Sequence, residues 1–448
     1  MKRIKWIYGV LFTALTVLWL FAEQPWAQGY DNFFQLRHIV IHYTGFLAIG
    51  AMSATMMLAI RPARLEPWLG GLDKTYRLHK WLGVTAAAVG AVHWLWAAVV
   101  RWVVEWGWLK HPQSASGLEL EPSIQEFFQE FRPIAVLVVE WTFYAVVVLV
   151  VLAVIKRLPY RYFFKTHRFI AVAYLVFVFH SIFLIKFSFW TSFSPIAMFS
   201  LLLMVGGTVA AILSLTRRIG HHRRALGKVE ALEYLGDGSL RVNIRLPRDH
   251  WDGHNAGQFA FVRFYDGNDK EAHPFTISSA WKNDGELRFY VKNLGDYTGH
   301  LPRTLKEGDR AAVEGPYGCF KFESDSPRQI WVAGGIGITP FLARLEELAH
   351  RGSRNNAIDL FFCVRNPDEA FVKNLEQLAG ETGVKLWVVV DGRDPLLNAD
   401  RICAEVPEWR NASVWFCGPA RFGHVLREGL RACGFDTRHF HRELFEMR

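Results

Sequence analysis

Four histidines in apolar surroundings are the residues of this sequence best placed to do chemistry. His79 and His93 bracket the run LHKWLGVTAAAVGAVH, and His167 and His180 bracket HRFIAVAYLVFVFH. Ionisable side chains are costly in hydrocarbon and tend to mark function there. On a helix, the spacing of His79 and His93 gives about 21 Å of rise and falls about 40° short of whole turns, so the two share a face near opposite ends of a span. The spacing of His167 and His180 gives about 20 Å of rise but turns them about 140° apart on an ideal helix, so a kink or bulge is required there. Facing histidines at two depths make two bis-imidazole sites. Imidazole on both sides of an iron leaves no vacant position, which suits haem in electron transfer. A zinc site needs four ligands converging on one point, and these pairs stand far apart. Hydrogen bonding between helices is the plainer role for any one of the four, but their pairing in depth argues for ligation. His38 and His42, spaced i, i+4, are a rival pair and read as interhelical or acceptor-side groups.

The elements that must position these residues are membrane spans. The chain has 448 residues, enough for two or three domains, and its 51% hydrophobic content is concentrated in the first half. Apolar runs near 5–22, 38–60, 79–100, 134–155, 167–185 and 193–215 each suffice for a hydrocarbon core of about 30 Å. Basic clusters (MKRIK, KRLPYR, RRIGHHRR) alternate with an acidic loop at 105–132. The positive-inside rule then puts both termini in the cytoplasm and the acidic loop outside. His79 falls level with His167 near the cytoplasm, and His93 with His180 near the outer face. The first run also has features of a signal peptide, for which it is long. The net charge of +9 sits beside apolar runs, which argues against nucleic acid as a partner. All five cysteines lie in the second half without a CxxC pair, which fits a reducing compartment for that half.

After RRIGHHRR the pattern changes to short alternating runs such as SLRVNIRL, GQFAFVRF and ELRFYVKNL, which predict a small antiparallel β-barrel. From about residue 327 strands alternate with helices (QIWVAGG, FLARLEELAHR, IDLFFCVR, KLWVVV, SVWFCGP). That alternation predicts a parallel sheet binding ligand at the carboxyl ends of its strands.

Two spans carrying histidines at these intervals within a six-span domain resemble the ferric reductase and NADPH oxidase superfamily. The resemblance assigns two b-type haems, with His79 and His167 on the inner one and His93 and His180 on the outer. Arg77, Lys80, Lys165 and Arg168 then suit haem propionates or serve as positive-inside anchors. Tyr174 and Phe177 lie between the two depths, either on the electron's path or as core.

Three motifs of the second half resemble the ferredoxin reductase-type flavin and nicotinamide module. In HPFTISS, the resemblance implies that Phe275 packs on the isoalloxazine and Thr276 bonds near N5. His273 takes the place usual for Arg beside the FAD phosphates, and Pro274, Ser278 and Ser279 complete the flavin strand. In VKNLGDYTGHL, Gly295 and Thr298 match the pyrophosphate turn, with Lys292 beside it; glycine admits the backbone and the turn donates to phosphate. In VAGGIGITPF, a strand end leads through Gly334, Gly335 and Gly337 to a helix start at Thr339 and Pro340, where a dinucleotide phosphate is received. The spacing is not the GxGxxG of a Rossmann fingerprint. CGP (Cys417, Gly418, Pro419) matches the loop that orients the nicotinamide, and Phe445 resembles the terminal aromatic that covers the flavin. Arg365, in FCVRN, lies where a cation for a 2′-phosphate is expected, with no acidic residue in that place to hold a bare ribose, which favours NADPH, with NADH possible.

The expected architecture is a multidomain chain: an α-helical six-span bundle (1–220), an antiparallel β-barrel FAD domain (221–325) and an α/β NAD(P)H domain (326–448). The expected function is electron transfer from cytosolic NADPH through FAD and two haems to an outer-face acceptor. Oxygen, giving superoxide, is the first reading and a ferric chelate or another metal or protein acceptor the second. Ala97 stands where oxygen-reducing relatives tend to keep a histidine, and Arg37 offers a cation at the same end. The expected setting is a bacterial inner membrane, with the bilayer as partner and no obligatory protein partner. A haem-binding anchor serving a partner protein, or a flavoreductase fused to an inert anchor, are the readings of a different class.

Overall fold

The computed structural model describes residues 2–25, 33–109, 122–154, 165–185, 194–265, 272–352 and 356–443. Two compact units divide the chain, one running through Ile219 apart from residues 71–73, the other from Gly220.

The first unit is helical. Its elements are α1 (Lys2–Glu23), α2 (Phe33–Ala59), the short α3 (Glu66–Leu69), α4 (Leu72–Glu105), α5 (Pro122–Val154), α6 (Phe169–Leu184) and α7 (Pro195–Leu215). Among the described residues, six helices are long and apolar enough to cross a membrane, as the sequence predicts. α4 extends well beyond the run 79–100: its 34 residues span about 51 Å at helical rise, against about 30 Å of hydrocarbon. The close helix pairs are α2 with α7, α5 with α6 and α6 with α7. Small residues permit the first of these, since Gly206 and Gly207 of α7 lie against Met57 and Ser53 of α2. α1 is built into the bundle as its first span. Its Leu15 and Trp19 are buried, the Thr16 hydroxyl meets the Tyr43 hydroxyl at 2.9 Å, and Tyr8 meets Thr85 at 2.6 Å.

The second unit carries two sheets. β1 (Arg224–Tyr234), β2 (Ser239–Arg245), β3 (Phe259–Phe264), β4 (His273–Thr276), β5 (Glu286–Lys292) and β6 (Arg310–Tyr317) form an antiparallel sheet in the order β4-β3-β6-β1-β2-β5. A bridge between Ile277 and Phe289 carries the chain past β4 onto β5, so the sheet nearly closes on itself. Alternate residues of β5, Leu287, Phe289 and Val291, point into the enclosed core, the period-2 pattern of a strand with one solvated face. After α8 (Asp296–Thr304) come β7 (Arg328–Gly334), α9 (Thr339–Arg351), β8 (Ala357–Val364), α10 (Glu369–Glu381), β9 (Lys385–Val390), α11 (Ala399–Glu405), β10 (Ser413–Cys417), α12 (Ala420–Ala432) and β11 (Phe440–Arg442). Their strands form a parallel sheet in the order β11-β10-β7-β8-β9. β10 is buried along its whole length and β7 along nearly all of it, as apolar strands between two helical layers must be. The order reverses at β7, whose neighbours β8 and β10 lead away in opposite directions. Such a switch point opens a crevice at the strands' carboxyl ends.

Three contacts join barrel to sheet within this unit. Arg288 of β5 donates to Glu346 of α9 at 2.5 Å, the Ala280 amide donates to the same carboxylate at 3.1 Å, and the Gly236 amide donates to Asp368 at 2.6 Å. Asp368 also caps α10 by accepting from Phe371 N. These two amide bonds, that to Phe371 first, hold its carboxyl below the usual aspartate range.

Candidate cofactor sites

The membrane unit pairs its histidines as the sequence predicts in depth. The ring centroids of His79 and His167 are 6.0 Å apart, and those of His93 and His180 are 6.4 Å apart. A metal–imidazole bond of about 2 Å, extended by about 1 Å to the ring centre on each side, predicts roughly 6 Å for two imidazoles on one metal. Both pairs meet that requirement. Nδ1 of His79 donates to Thr55 O at 2.9 Å, Nδ1 of His93 to Ile41 O at 3.0 Å, and Nδ1 of His180 to Ala135 O at 3.3 Å. A carbonyl partner on Nδ1 fixes the tautomer and leaves the Nε2 lone pair for a metal. Among the described residues no group of three or more His, Cys, Asp or Glu side chains converges as a metal cluster.

Between His167 and His180 the regular helix is interrupted once, at Arg168. Residues 165–167 are helical, Arg168 is a turn, and α6 starts at Phe169. Arg168 keeps helical backbone angles (φ −62°, ψ −28°), so the irregularity between the short turn that carries His167 and α6 is local. The Arg168 guanidinium donates to Leu215 O at 2.9 Å, satisfying a carbonyl at the end of α7, while Lys80 and Lys165 are exposed. Tyr174 is buried against α2 and α7, with its hydroxyl 2.9 Å from Ser53 Oγ and donating to Met204 O. That is a packing position, and Phe177 lies in the same core.

In the second unit, β4 is an edge strand of the near-barrel, and His273, Pro274, Phe275 and Thr276 are all half-buried along it. Phe275 rests on the barrel core, 6.5 Å from Phe264 and from Phe289, with part of the ring open. His273 stacks on Tyr297 at 3.7 Å, which joins the flavin strand to the VKNLGDYTGHL turn. The two serines point elsewhere: Ser278 Oγ donates to Arg288 O and Ser279 Oγ accepts from Arg288 N. Both hydroxyls thus fasten the chain after β4 onto β5. Thr298 behaves likewise, its hydroxyl accepting from Leu294 N and Gly295 N within its own turn. Beside Gly295 a side chain would meet nothing within 4 Å.

The VAGGIG and CGP loops come together at the switch point. Cys417 of β10 pairs with Ala333 of β7, and a Cβ on Gly337 would stand 2.2 Å from Cys417 O. Only glycine permits this approach, which gives the two loops one shared crevice at the start of α9. Thr339 and Pro340 begin that helix, and Thr339 Oγ1 donates to Ile336 O. Lys292 reaches the same place, its Nζ 3.9 Å from where a side chain on Gly335 would begin. Gly418 lies against Gly334, and Pro419 lies 2.8 Å from where a Cβ on Gly334 would begin. Burial, with the Glu443 carboxylate adding to it, pushes the Cys417 thiol well above its ordinary range, so it stays protonated. Phe445 lies outside the described residues; the chain before it carries Glu443 to the edge of Gly318.

Arg365 is exposed just past β8, and its Nε lies 3.2 Å from Asp391 at the end of β9. The expectation that no carboxylate stands there holds only along the chain, because the adjacent parallel strand supplies one. The sequence reading also missed His254. Its Nε2 donates to Ser279 O at 2.8 Å while Nδ1 accepts from Trp251 Nε1. Burial holds its pKa below the ordinary range, and this neutral ring braces the chain behind the flavin strand. Glu346 and Asp368 escaped notice too, since nothing in their local sequence marks an interdomain contact.

This fold and these sites define an integral membrane oxidoreductase with an FAD- and NAD(P)H-binding module. Residues 44–178 match the family described as ferric reductase like transmembrane component, and residues 226–321 match an FAD-binding domain. The chain therefore has a ferric reductase/NADPH oxidase-like architecture. Among curated relatives, it is 32% identical to the carnitine monooxygenase reductase subunit of Acinetobacter baumannii over 25% of this chain and 33% of the relative. It is 29% identical to NADH-cytochrome b5 reductase 1 of Coccidioides immitis over 38% of this chain and 61% of the relative. To the flavohemoprotein of Bacillus cereus it is 26% identical over 34% and 41%. The chain thus spans between 33% and 61% of these relatives' lengths. Similar solved structures include the FAD/NAD-binding domain of the Vibrio cholerae nitric oxide dioxygenase (TM-score 0.42, 20% identity, 49% of this chain and 97% of that one). Another is a ferredoxin NADP+ reductase from Neisseria gonorrhoeae (TM-score 0.43, 16% identity, 49% and 98%).

Proposed function

We propose that this protein moves electrons from cytoplasmic NADPH across the bacterial inner membrane to an acceptor at the outer face, by way of FAD and two b-type haems. The observation that carries the reading is the pair of imidazole couples at 6.0 and 6.4 Å within one helical bundle. FAD, when bound, takes electrons from nicotinamide two at a time and releases them singly, and haem carries them one at a time. His79 with His167 hold the inner haem and His93 with His180 the outer, the rings of His79, His93 and His180 each aimed by a backbone carbonyl. His273, Phe275 and Thr276 line the flavin's edge strand, the turn at Gly295 receives its pyrophosphate, and Gly334 to Gly337 with Cys417 form the nicotinamide crevice. Arg365 meets the 2′-phosphate in competition with Asp391. We divide the chain at 220/221 and 325/326, with both termini cytoplasmic, on the strength of the basic clusters beside the spans.

Two acceptors fit the outer end: oxygen, giving superoxide, and a chelated metal ion. The oxygen reading draws on Arg37, whose guanidinium reaches Ala97 O at 3.4 Å, one turn beyond His93. The metal reading is favoured by the convergence of His38 and His42 at that same end. The test is a reduced-minus-oxidised spectrum of the purified protein, followed by single alanine replacements of the four paired histidines. Two b-type centres, with transmembrane reduction lost and NAD(P)H-to-flavin transfer retained in His93→Ala and His180→Ala, are expected. A protein with no b-type bands, or with transmembrane reduction intact in both variants, overturns the relay. Cytochrome c reduction with and without superoxide dismutase separates the acceptors, since only the oxygen product is intercepted.

A further inference from the structure

We infer that Cys403 and Cys433 are a modification site, at which hydrogen peroxide closes the two thiols into a reversible disulfide that staples α11 to α12. The inference is independent of the electron relay proposed above. α11 and α12 each return from the carboxyl end of a strand of the parallel sheet, so they run in the same direction. They meet at Ala399 and Gly429, where a Cβ on the glycine would stand 2.9 Å from that of the alanine. Cys403 lies one turn beyond Ala399 on α11. Cys433 lies one turn beyond Gly429, its backbone still helical (φ −75°, ψ −1°) at the end of α12. On parallel helices in contact, the positions one turn further along also lie side by side. The glycine thus lets the two backbones approach as a disulfide requires, with Cα atoms about 4.4–6.8 Å apart.

The side chains agree with the backbone. Cys433 Sγ donates to Asp400 Oδ1 at 3.8 Å, on the turn of α11 that leads to Cys403. Both cysteines pack on one apolar cluster with Ile402, Leu430 and Phe435. Both are half-buried, held in place yet open to a small oxidant. Burial, and after it the neighbouring Cys433 thiol, holds Cys403 up to about 11, so it rests as a thiol. Arg410, whose Nη2 lies 3.5 Å from Cys433 O, supplies a cation that favours the thiolate needed for attack. Burial pushes Cys363 up to about 12 and Cys417 well above its ordinary range, which slows oxidation at both. All five cysteines are free in this structure, the resting state of such a pair in a reducing compartment. In the step, one sulfur attacks the O–O bond and becomes a sulfenic acid with release of water; the second sulfur then displaces its hydroxyl as a second water and the S–S bond forms. The balance is 2 RSH + H2O2 → RSSR + 2 H2O, in which each sulfur loses one electron and each peroxide oxygen gains one.

The test uses full-length protein in detergent, reduced, desalted and titrated with hydrogen peroxide. Thiols are counted after denaturation, and cysteine-bearing peptides are mapped by mass. Two of the five thiols should be lost together, in one cross-linked peptide joining Cys403 to Cys433, and dithiothreitol should restore both. Cys403→Ser and Cys433→Ser should each keep their remaining thiols at the dose that closes the wild-type pair. Gly429→Leu, which keeps both thiols but forces the helices apart, should slow closure by about tenfold or more, since Cα atoms beyond about 7 Å cannot be bridged. The wild-type peptide map decides the matter without any variant. A protein that keeps all five thiols at doses oxidising free cysteine, that loses two through a different pair, or whose losses dithiothreitol does not reverse, overturns the site.

Discussion

A side chain added at Gly45 of α2 would place its first carbon 3.1 Å from Cε1 and 3.3 Å from Nδ1 of His93. The glycine is thus the space in which that ring stands. On the proposed relay, Gly45→Val should displace His93 from Ile41 O, remove about half of the haem absorbance by emptying one of the two proposed bis-imidazole sites, and cost about 1–3 kcal/mol by overpacking. Gly83→Ala is the control, because its new methyl would sit at ordinary contact distance, 3.8 Å from Thr55. Equal haem loss in both variants would show that the effect is not local to His93.

Gly337 holds open the crevice proposed for nicotinamide in the same way. Alanine there meets Cys417 O at 2.2 Å, with backbone on both sides of the clash. The two strand-end loops must separate, so Gly337→Ala is expected to raise KM for NAD(P)H at least about tenfold and to destabilise the unit by about 1–3 kcal/mol. Gly380→Ala on α10, where an added methyl meets no neighbour within 4 Å, should instead be stabilising by up to about 1 kcal/mol. Steady-state kinetics with thermal unfolding of the two variants decides the matter.

On the proposed nucleotide site, Arg365 and Asp391, 3.2 Å apart, pull the nucleotide preference in opposite directions. Arg365→Ala should lower kcat/KM for NADPH by about tenfold, the loss of one charge-assisted contact, with little change for NADH. Asp391→Ala should release the guanidinium and shift the ratio further towards NADPH. An enzyme whose NADH activity falls on losing Arg365 would place the 2′-phosphate elsewhere.

Burial pushes the Cys363 thiol up to about 12 from the ordinary 9.0, with Arg401 opposing. The folded chain then keeps this proton over a range in which the unfolded chain has lost it, so stability falls as pH rises. The contribution is complete below pH 9 and is lost progressively between 9.0 and about 12. Melting temperatures of wild type and Cys363→Ala should run parallel below pH 9 and converge above it. Parallel curves throughout would mean that the thiol does not titrate late. Below pH 9 the native thiol should also resist alkylation.

Much of this was legible in the chain. The six spans and the depth pairing of the histidines follow from apolar run length and helical rise, which are local properties. The alternation of ELRFYVKNL announced a one-faced strand, and the glycines of VAGGIG a backbone approach. Less legible were side-chain contacts: Ser278, Ser279 and Thr298 matched motifs that bind cofactor, and their hydroxyls fasten backbone on β5 or within their own turn.

What the sequence determined by itself is the kind of element at each position and the depth of each histidine, because periodicity and rise act over a few residues at a time. What only the tertiary structure decided is who meets whom. Helix packing brings His167 to His79 and His180 to His93, and β9 carries Asp391 to Arg365. Each depends on surfaces packed from segments far apart in the chain, where only the free energy of the whole fold selects the partner.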